Sequence, residues 1–483
     1  MDSPLHQIDI SKLILNRKLF LVWILVVFLP FALVITIFSS PNLFLIEGIT
    51  GISGVDQTST FSSVIFSGGP ENLAPQPMLV LPIQLQKADA SAMHSLLLND
   101  GMNKASSFEN ISQIKQIKVN DGEGKASKSN QSGKCNLFKG KWVHDPEGPL
   151  YTNETCAHIQ GHQNCMRNGR PDKEYLYWRW KPNGCDLPRF NATLFLELVR
   201  GKVWAFVGDS VARNQMQSLL CMLSKVEHPN NTYKDKDNIF VHWYFPSYNF
   251  TLMVLWSPYL VKVTKEEFKG VPSGVVKLHL DVLDPEWVTL LPNTDALVLS
   301  TGHWFLQSGV YIMKDEVVGC HNCQGVNATQ LGFYFAFRHA IRAALEGINL
   351  LPGFQGIAFL QTFTVDHFEN GQWSNGGTCN RTEPYKKGEV KLDGVNKEMH
   401  KIVIEEFKNG TKEEAPNGAI IKLMDITYCG LLRPDGHPGK YRDLDFLSAN
   451  KANQPVPNDC LHWCLPGPID AWNEILFMKL KEL

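Results

Sequence analysis

The sequence predicts an α/β body built on a mostly parallel sheet flanked by helices, a small disulfide-rich module ahead of it, and a single transmembrane helix at the N-terminus. Three observations carry this expectation. From Val203 onward, short apolar runs alternate with amphipathic helical segments. The runs are "VWAFV" (203–207), "DALVLS" (295–300), "GIAFLQTF" (356–363) and "AIIKLMDIT" (419–427), and segments such as "FYFAFRHAIRAALEGI" (333–348) lie between them. Apolar strands alternating with helices argue for parallel strands covered on both faces. Second, Leu19–Phe38 is an uninterrupted apolar run of 20 residues. Third, all eleven cysteines lie at Cys135 or beyond.

Taken in chain order, residues 1–18 form a short tail carrying Lys12, Arg17 and Lys18. The run at 19–38 is long enough to cross a hydrocarbon core of about 30 Å, and Pro30 is tolerable inside a membrane helix. No Lys or Arg follows until Lys87. The positive-inside rule then places the tail in the cytosol and everything after Phe38 across the membrane. A cleaved signal peptide is the alternative, with a shorter apolar core and a small-residue cleavage site. The cysteine distribution fits a disulfide-permitting compartment. So do nine N-x-Ser/Thr sequons, from Asn110 to Asn409, all beyond the anchor. Residues 39–133 are rich in Ser, Gly, Pro, Asn and Gln and read as a flexible stem. Residues 134–188 are dense in Cys and Trp and read as a loop-rich module stapled by disulfides. A zinc site there is disfavoured, because the block lacks paired C-x-x-C elements, and no metal is expected. Residues 189–483 carry the α/β texture. A net charge of −2 gives nucleic-acid binding no electrostatic support.

The chemistry concentrates at two places. In "VWAFVGDSVARNQ", an apolar strand stops at Gly208, and Asp209 and Ser210 open a helical pattern. Functional residues of parallel sheets gather at the carboxyl ends of strands. Ser210 is therefore either a helix cap or a nucleophile whose amide, at a helix start, supplies half of an oxyanion hole. A nucleophilic serine needs a base and a group that orients it. "NDCLHWCLPGPIDAWN" supplies Asp459 and His462, three residues apart, with Cys460 and Cys464 flanking the histidine. "RPDGHPGKY" offers Asp435 and His437, but Pro-Asp-Gly is a turn signal and i,i+2 side chains do not face each other on a helix. This pair reads as a structural loop. "STGHWF" brings Gly302 and His303 to another strand end, where His303 is expected to line the cleft.

With these motifs in place, the chain resembles the plant trichome birefringence-like proteins. These are polysaccharide O-acetyltransferases of the plant Golgi with an SGNH/GDSL-hydrolase-like fold. The resemblance rests on "FVGDSVARNQ", "TGHWF", "DGHPGKY" and "DCLHWCLPGPIDAWN", and on the block from "CNLFKGKWV" to "YWRWKPNGCDLPRF". It covers about Cys135 to Leu483 and the anchor-and-stem layout. It implies Ser210 as nucleophile, His462 as base and Asp459 as orienter, with Gly208, Asp209, Arg213, Asn214, Gly302 and His303 supporting the site or its oxyanion hole. The Gly-x-Asn-Asp block of general SGNH esterases is not evident. It also implies the disulfides Cys135–Cys185, Cys156–Cys221, Cys165–Cys464 and Cys379–Cys460, leaving Cys320, Cys323 and Cys429 open, with "CHNC" able to close a small loop.

On this reading the protein is a single-pass type II Golgi membrane acetyltransferase with a lumenal catalytic body. It binds no resident cofactor and draws on an acetyl donor, acetyl-CoA or another acetyl carrier, which membrane proteins could supply. Its acceptor is a cell-wall polysaccharide. "QNCMRNGRPD" and "GDSVARNQMQSLLC" resemble the subgroup acting on xyloglucan side chains, with the mannan-acetylating subgroup as the alternative. An esterase of the same fold, or a non-catalytic polysaccharide binder, are the rivals. Trp304, Trp373 and Trp463 are candidates for stacking on sugar faces, against the alternative of core packing.

Overall fold

The structure, a computed structural model, describes residues 135–264, 275–443 and 457–483. The expected tail, anchor and stem lie outside the described residues. Among the described residues no helix is long and apolar enough to cross a membrane.

The first strands are β1 (Asn136–His144) and β2 (Trp178–Asn183), an antiparallel pair. Helix α1 (Ala192–Leu198) leads into β3 (Val203–Gly208) and helix α2 (Ser210–Leu223). Strands β4 (Asn230–Lys234), β5 (Val241–Phe245), β6 (Phe250–Trp256), β7 (Val261–Thr264) and β8 (Val276–Leu283) follow. After the short helix α3 (Pro285–Val288) come β9 (Ala296–Ser300), β10 (Gly309–Met313) and β11 (Glu316–His321). The rest is α4 (Phe333–Leu350), β12 (Ile357–Gln361), α5 (Gly394–Gly410), β13 (Ile420–Met424), α6 (Thr427–Leu431) and α7 (Asp470–Lys481).

The main sheet has seven strands in the order β13-β12-β9-β3-β6-β5-β4. β13 through β6 are parallel, and β5 and β4 turn antiparallel at one edge. The fold is thus α/β, as expected, with a mixed sheet. The two-residue period of its central strands feeds two cores. Trp204 and Phe206 of β3, with Ala296 and Val298 of β9, face the core shared with α2 and α7. Ala205, Val207, Leu297 and Leu299 face the core under α4 and α5. Residues buried on both faces in this way read as continuous apolar runs, which is why these strands were visible in the sequence. A second sheet, β11-β10-β8-β7, is an addition the sequence pattern did not announce.

The disulfides are Cys135–Cys185, Cys156–Cys221, Cys165–Cys464, Cys379–Cys460 and Cys320–Cys323, with Cys429 free and buried. Of the bridges made by the first four cysteines, only Cys135–Cys185 closes the β1–β2 region on itself. Cys156 and Cys165 reach instead to α2 and to the loop before α7. Residues 135–188 are therefore stapled by one internal bridge and welded to the body by two. Trp142 adds to the weld: its indole N–H donates to Cys429 O at 3.0 Å, and the Arg433 guanidinium lies 4.3 Å from its ring centre.

Helix α7 carries two acids against the same region. Asp470 accepts from Tyr151 Oη at 2.8 Å and Ser218 Oγ at 2.6 Å. Burial raises its carboxyl to about 6, against those two hydrogen bonds. Burial and then the neighbouring Asp470 charge raise Glu474 to about 7. A raised folded-state value means the folded protein keeps a proton that the unfolded chain has lost. The resulting stability is full below the unfolded value of 4.5 and declines as pH rises through about 7. Glu474→Gln should therefore stabilise the protein above pH 7 by about 1–2 kcal/mol, discounted because the side chain is only partly buried, and flatten that decline. Thermal melts across this pH range check both; a variant whose melting temperature keeps the parent's pH profile refutes the assignment.

Candidate active site

β3 and β9 are neighbours in register, with Gly208 opposite Ser300. A Cβ on Gly208 would lie 1.8 Å from Ser300 O, and its φ is +150°. Only glycine allows the two strand ends to converge so closely. Asp209 N then donates to Ser300 O at 3.2 Å, and the Asp209 side chain accepts Val211 N at 2.9 Å as the N-cap of α2. Burial raises the Asp209 carboxyl. Capping is thus the task of Asp209, and the Ser210 hydroxyl is left for other work.

That hydroxyl lies 2.7 Å from His462 Nε2. His462 Nδ1 is 2.9 Å and 3.1 Å from the two carboxylate oxygens of Asp459. A carboxylate only accepts, so Nδ1 carries the proton and Nε2 is bare and accepts from Ser210. Asp459 Oδ1 also takes the amides of Leu461 at 3.2 Å and His462 at 3.0 Å. Burial alone would raise the Asp459 carboxyl. The positive charge that His462 carries once protonated, and the hydrogen bonds the carboxylate accepts from that residue, outweigh this and hold the carboxyl well below the usual range.

The histidine loop is gripped from several sides. Asn214, one turn along α2 from Ser210, accepts Trp463 N at 2.7 Å and donates to Trp463 O at 3.3 Å. The helix that bears the hydroxyl thereby holds the backbone next to the imidazole. His437 Nδ1 lies 2.8 Å from His462 O, its Nε2 2.7 Å from His367 Nδ1, and His367 Nε2 2.9 Å from Leu431 O. A neutral imidazole carries one N–H, so the two rings share two protons among these three contacts, and burial disfavours a third. The Asp435–His437 stretch is thus the structural loop expected. Asp435 forms a fully buried bidentate pair with Arg433, and His437 buttresses the loop that carries His462.

Asn214→Ala removes both clamp bonds and leaves two buried backbone groups unsatisfied. It should lower kcat about 10–100-fold and cost about 2 kcal/mol of stability. Steady-state kinetics beside a denaturation curve check this. An unchanged kcat would mean that the loop needs no clamp.

Other expected residues fall around this centre. Gly302 packs directly beneath the Phe363 ring. His303 Nε2 donates to Thr364 O at 2.8 Å, with its ring 4.5 Å from that of Phe363. Arg213 donates to Asn238 O at 3.2 Å and lies 5.5 Å from the Trp256 ring centre. Trp304 is partly buried, edge-on to Trp256 at 5.4 Å. Trp373 is 44% exposed, on a turn shortly before Cys379, which is bonded to Cys460. Trp463 does not present a sugar-stacking face: it is 0% exposed, stacked 4.2 Å from His437 and edge-on to Trp472. The loop turns it inward, where its large apolar surface anchors the backbone beside His462.

One histidine was not anticipated. His162, in the turn Gly161–Gln163, has its ring centre 5.7 Å from that of His462, nearly perpendicular to it. Only the bridge between Cys165, three residues on, and Cys464 could have pointed to it.

Residues 187–479 match the PC-Esterase family, described as a GDSL/SGNH-like acyl-esterase family found in Pmr5 and Cas1p. Residues 133–186 match the PMR5 N terminal domain. The chain is 48% identical to Protein trichome birefringence-like 25 of Arabidopsis thaliana over 354 residues, 72% of this chain and 77% of that protein. It is 47% identical to Xyloglucan O-acetyltransferase 1 of Populus trichocarpa over 356 residues, 72% of this chain and 81% of that protein. For Xyloglucan O-acetyltransferase 1 of Arabidopsis thaliana the identity is 46% over 349 residues, 72% of this chain and 80% of that protein.

Proposed function

The chain belongs to the PC-Esterase family of GDSL/SGNH-like acyl-esterases, and from that premise we propose that it is an O-acetyltransferase that esterifies hydroxyls of a plant cell-wall polysaccharide, with xyloglucan side chains as the acceptor. The observation that carries the reading is the line Asp459–His462–Ser210, with Ser210 Oγ 2.7 Å from the bare imidazole nitrogen. The choice of acceptor rests on the relatives named xyloglucan O-acetyltransferase.

In the first half-reaction His462 Nε2 takes the Ser210 proton as Oγ attacks the carbonyl carbon of the donor. The tetrahedral intermediate collapses, the donor's leaving group departs with the proton from His462, and acetyl-Ser210 remains. In the second half a sugar hydroxyl gives its proton to His462 and attacks the acetyl carbon. The bond to Oγ breaks, and His462 returns the proton to Ser210. Asp459 keeps the proton on Nδ1 and stabilises the imidazolium formed in each half. The Ser210 amide, first in α2, faces the developing oxyanion, with Gly302 at the neighbouring strand end as the second donor. Gly208, Asp209, Arg213, Asn214 and His303 support this constellation. Trp304 and Trp373 offer the aromatic surface for sugar rings.

The donor is an activated acetyl carrier such as acetyl-CoA, delivered by membrane partners. The run at Leu19–Phe38 anchors the protein in the Golgi membrane as a type II protein with its body in the lumen. The test is incubation of the full-length chain with labelled acetyl donors and de-acetylated xyloglucan, glucomannan and xylan, read by mass spectrometry of the glycans. Acetylated xyloglucan is the expected product. Acetate alone would make the protein an esterase, and glucomannan as the sole product would move it to the mannan-acetylating subgroup.

A further inference from the structure

We propose that His162 is an acceptor-binding residue: it hydrogen-bonds a hydroxyl of the acceptor sugar adjacent to the one being acetylated, and so favours transfer to sugar over hydrolysis by water. The proposal rests on the acyl-enzyme reading above.

The turn that carries His162 is fixed to the histidine loop by a hydrogen bond and a disulfide, and to a neighbouring stretch by a third link. Gln163 O accepts Leu465 N at 2.9 Å. Cys165 is bonded to Cys464, two residues past His462. Asn168 Nδ2 donates to Gly161 O at 2.7 Å and to Tyr441 O at 2.8 Å, tying the turn to the stretch after His437. These attachments place the imidazole of His162 edge-to-face with that of His462. Yet among the described residues none hydrogen-bonds either of its ring nitrogens, and the residue is half-buried rather than sealed. A polar ring held this firmly beside the proton-transferring group, with neither nitrogen bonded by a described residue, is preorganised for something that arrives from outside.

The ring's charge state selects the ligand. Burial, then the charge of His462, hold its pKa down to about 3; Asp459 opposes this, and Arg213 and Arg442 add to it. His162 is therefore neutral at working pH, with one N–H donor and one bare acceptor. A sugar hydroxyl both donates and accepts, so a hydroxyl next to the reacting one is a matching partner. Water brings a single oxygen, which is consumed in the attack, and gains nothing from the contact. Binding energy used in this way acts on the sugar's transition state and not on that of hydrolysis.

The step itself is the second half-reaction. The sugar oxygen forms the new bond to the acetyl carbon, its proton passes to His462, and the carbon–Oγ bond of acetyl-Ser210 breaks. His162 touches only the neighbouring hydroxyl and exchanges no proton.

The experiment uses the full-length chain, 4-nitrophenyl acetate as donor and de-acetylated xyloglucan oligosaccharides as acceptor. The nitrophenolate burst reads acylation of Ser210, and the ratio of acetylated oligosaccharide to free acetate reads partition. In His162→Phe the burst should persist while the transfer-to-hydrolysis ratio falls about tenfold or more and the acceptor KM rises. His162→Gln, which keeps a donor and an acceptor near the same place, should recover part of the ratio, and it stands in if the Phe variant does not fold. A parent-like ratio and KM in a variant that bursts normally overturns the proposal. So does loss of the burst from both variants, which would make His162 a support of His462 instead. Absence of a burst in the parent would sink the acyl-enzyme reading, a separate failure.

Discussion

Ser210→Ala is expected to fold as the parent does and to transfer no acetyl group. The N-cap of α2 is Asp209, whose side chain takes the Val211 amide, so removing the Ser210 hydroxyl leaves the helix start intact. What is lost is a single contact, from Oγ to His462 Nε2. Its loss should change stability by no more than about 1 kcal/mol. In a cooperating nucleophile–base set the rate loss is of a different order, about 10⁴–10⁶. Differential scanning calorimetry, transfer assays and mass spectrometry of the active-site peptide after donor exposure separate the two effects. The variant should melt with the parent and show no acetyl adduct. Measurable transfer well above this floor, in a folded variant, would remove Ser210 from the mechanism.

Asp459→Asn should be nearly as severe for a different reason. The carboxylate accepts the His462 Nδ1 proton and two backbone amides. The amide side chain can still turn its oxygen to one group, but its NH₂ then faces another donor. Presented to Nδ1, that NH₂ favours the tautomer with the proton on Nε2, which can no longer accept from Ser210. A loss of about 10³–10⁴ in kcat is expected, with a smaller change in KM for donor. Because the carboxyl is held low in the folded state, its contribution to stability is present above the unfolded value of 3.8 and is lost below it. The Asn variant should therefore lose part of the parent's acid sensitivity. A variant with kcat within tenfold of the parent would show that Asp459 does not set the tautomer.

The strand, Gly208, Asp209 and Ser210 were legible because each is a local signal. A buried parallel strand is an apolar run, its end needs a residue that permits close approach, and a helix start needs a cap. The Asp459–His462 pair was legible because three residues fit one turn. The burial of Trp463 was not, since an indole serves a core and a sugar face equally well and only the loop's direction decides. Asn214 was visible as a residue after Ser210, but its partner lies 249 positions away. His437 shows the same limit: its neighbours in sequence gave a turn, while its bond is to a carbonyl 25 residues on. The four-stranded sheet escaped because strands such as "VKLHLDVL" mix polar and apolar residues on a partly exposed layer.

The clamp between α2 and the histidine loop also bears on biosynthesis. Ser210 and His462 are 252 positions apart, and the Cys165–Cys464 bridge spans 299. At translation rates of about 5–20 residues per second, the strand and helix that bear Ser210 exist for roughly ten seconds or more before His462 is made. Contacts this distant in sequence are also among the last to form during folding. Until then the serine is an ordinary alcohol without His462 beside it, so the growing chain carries no assembled triad and gains one only when the loop that bears His462 has been made and docks.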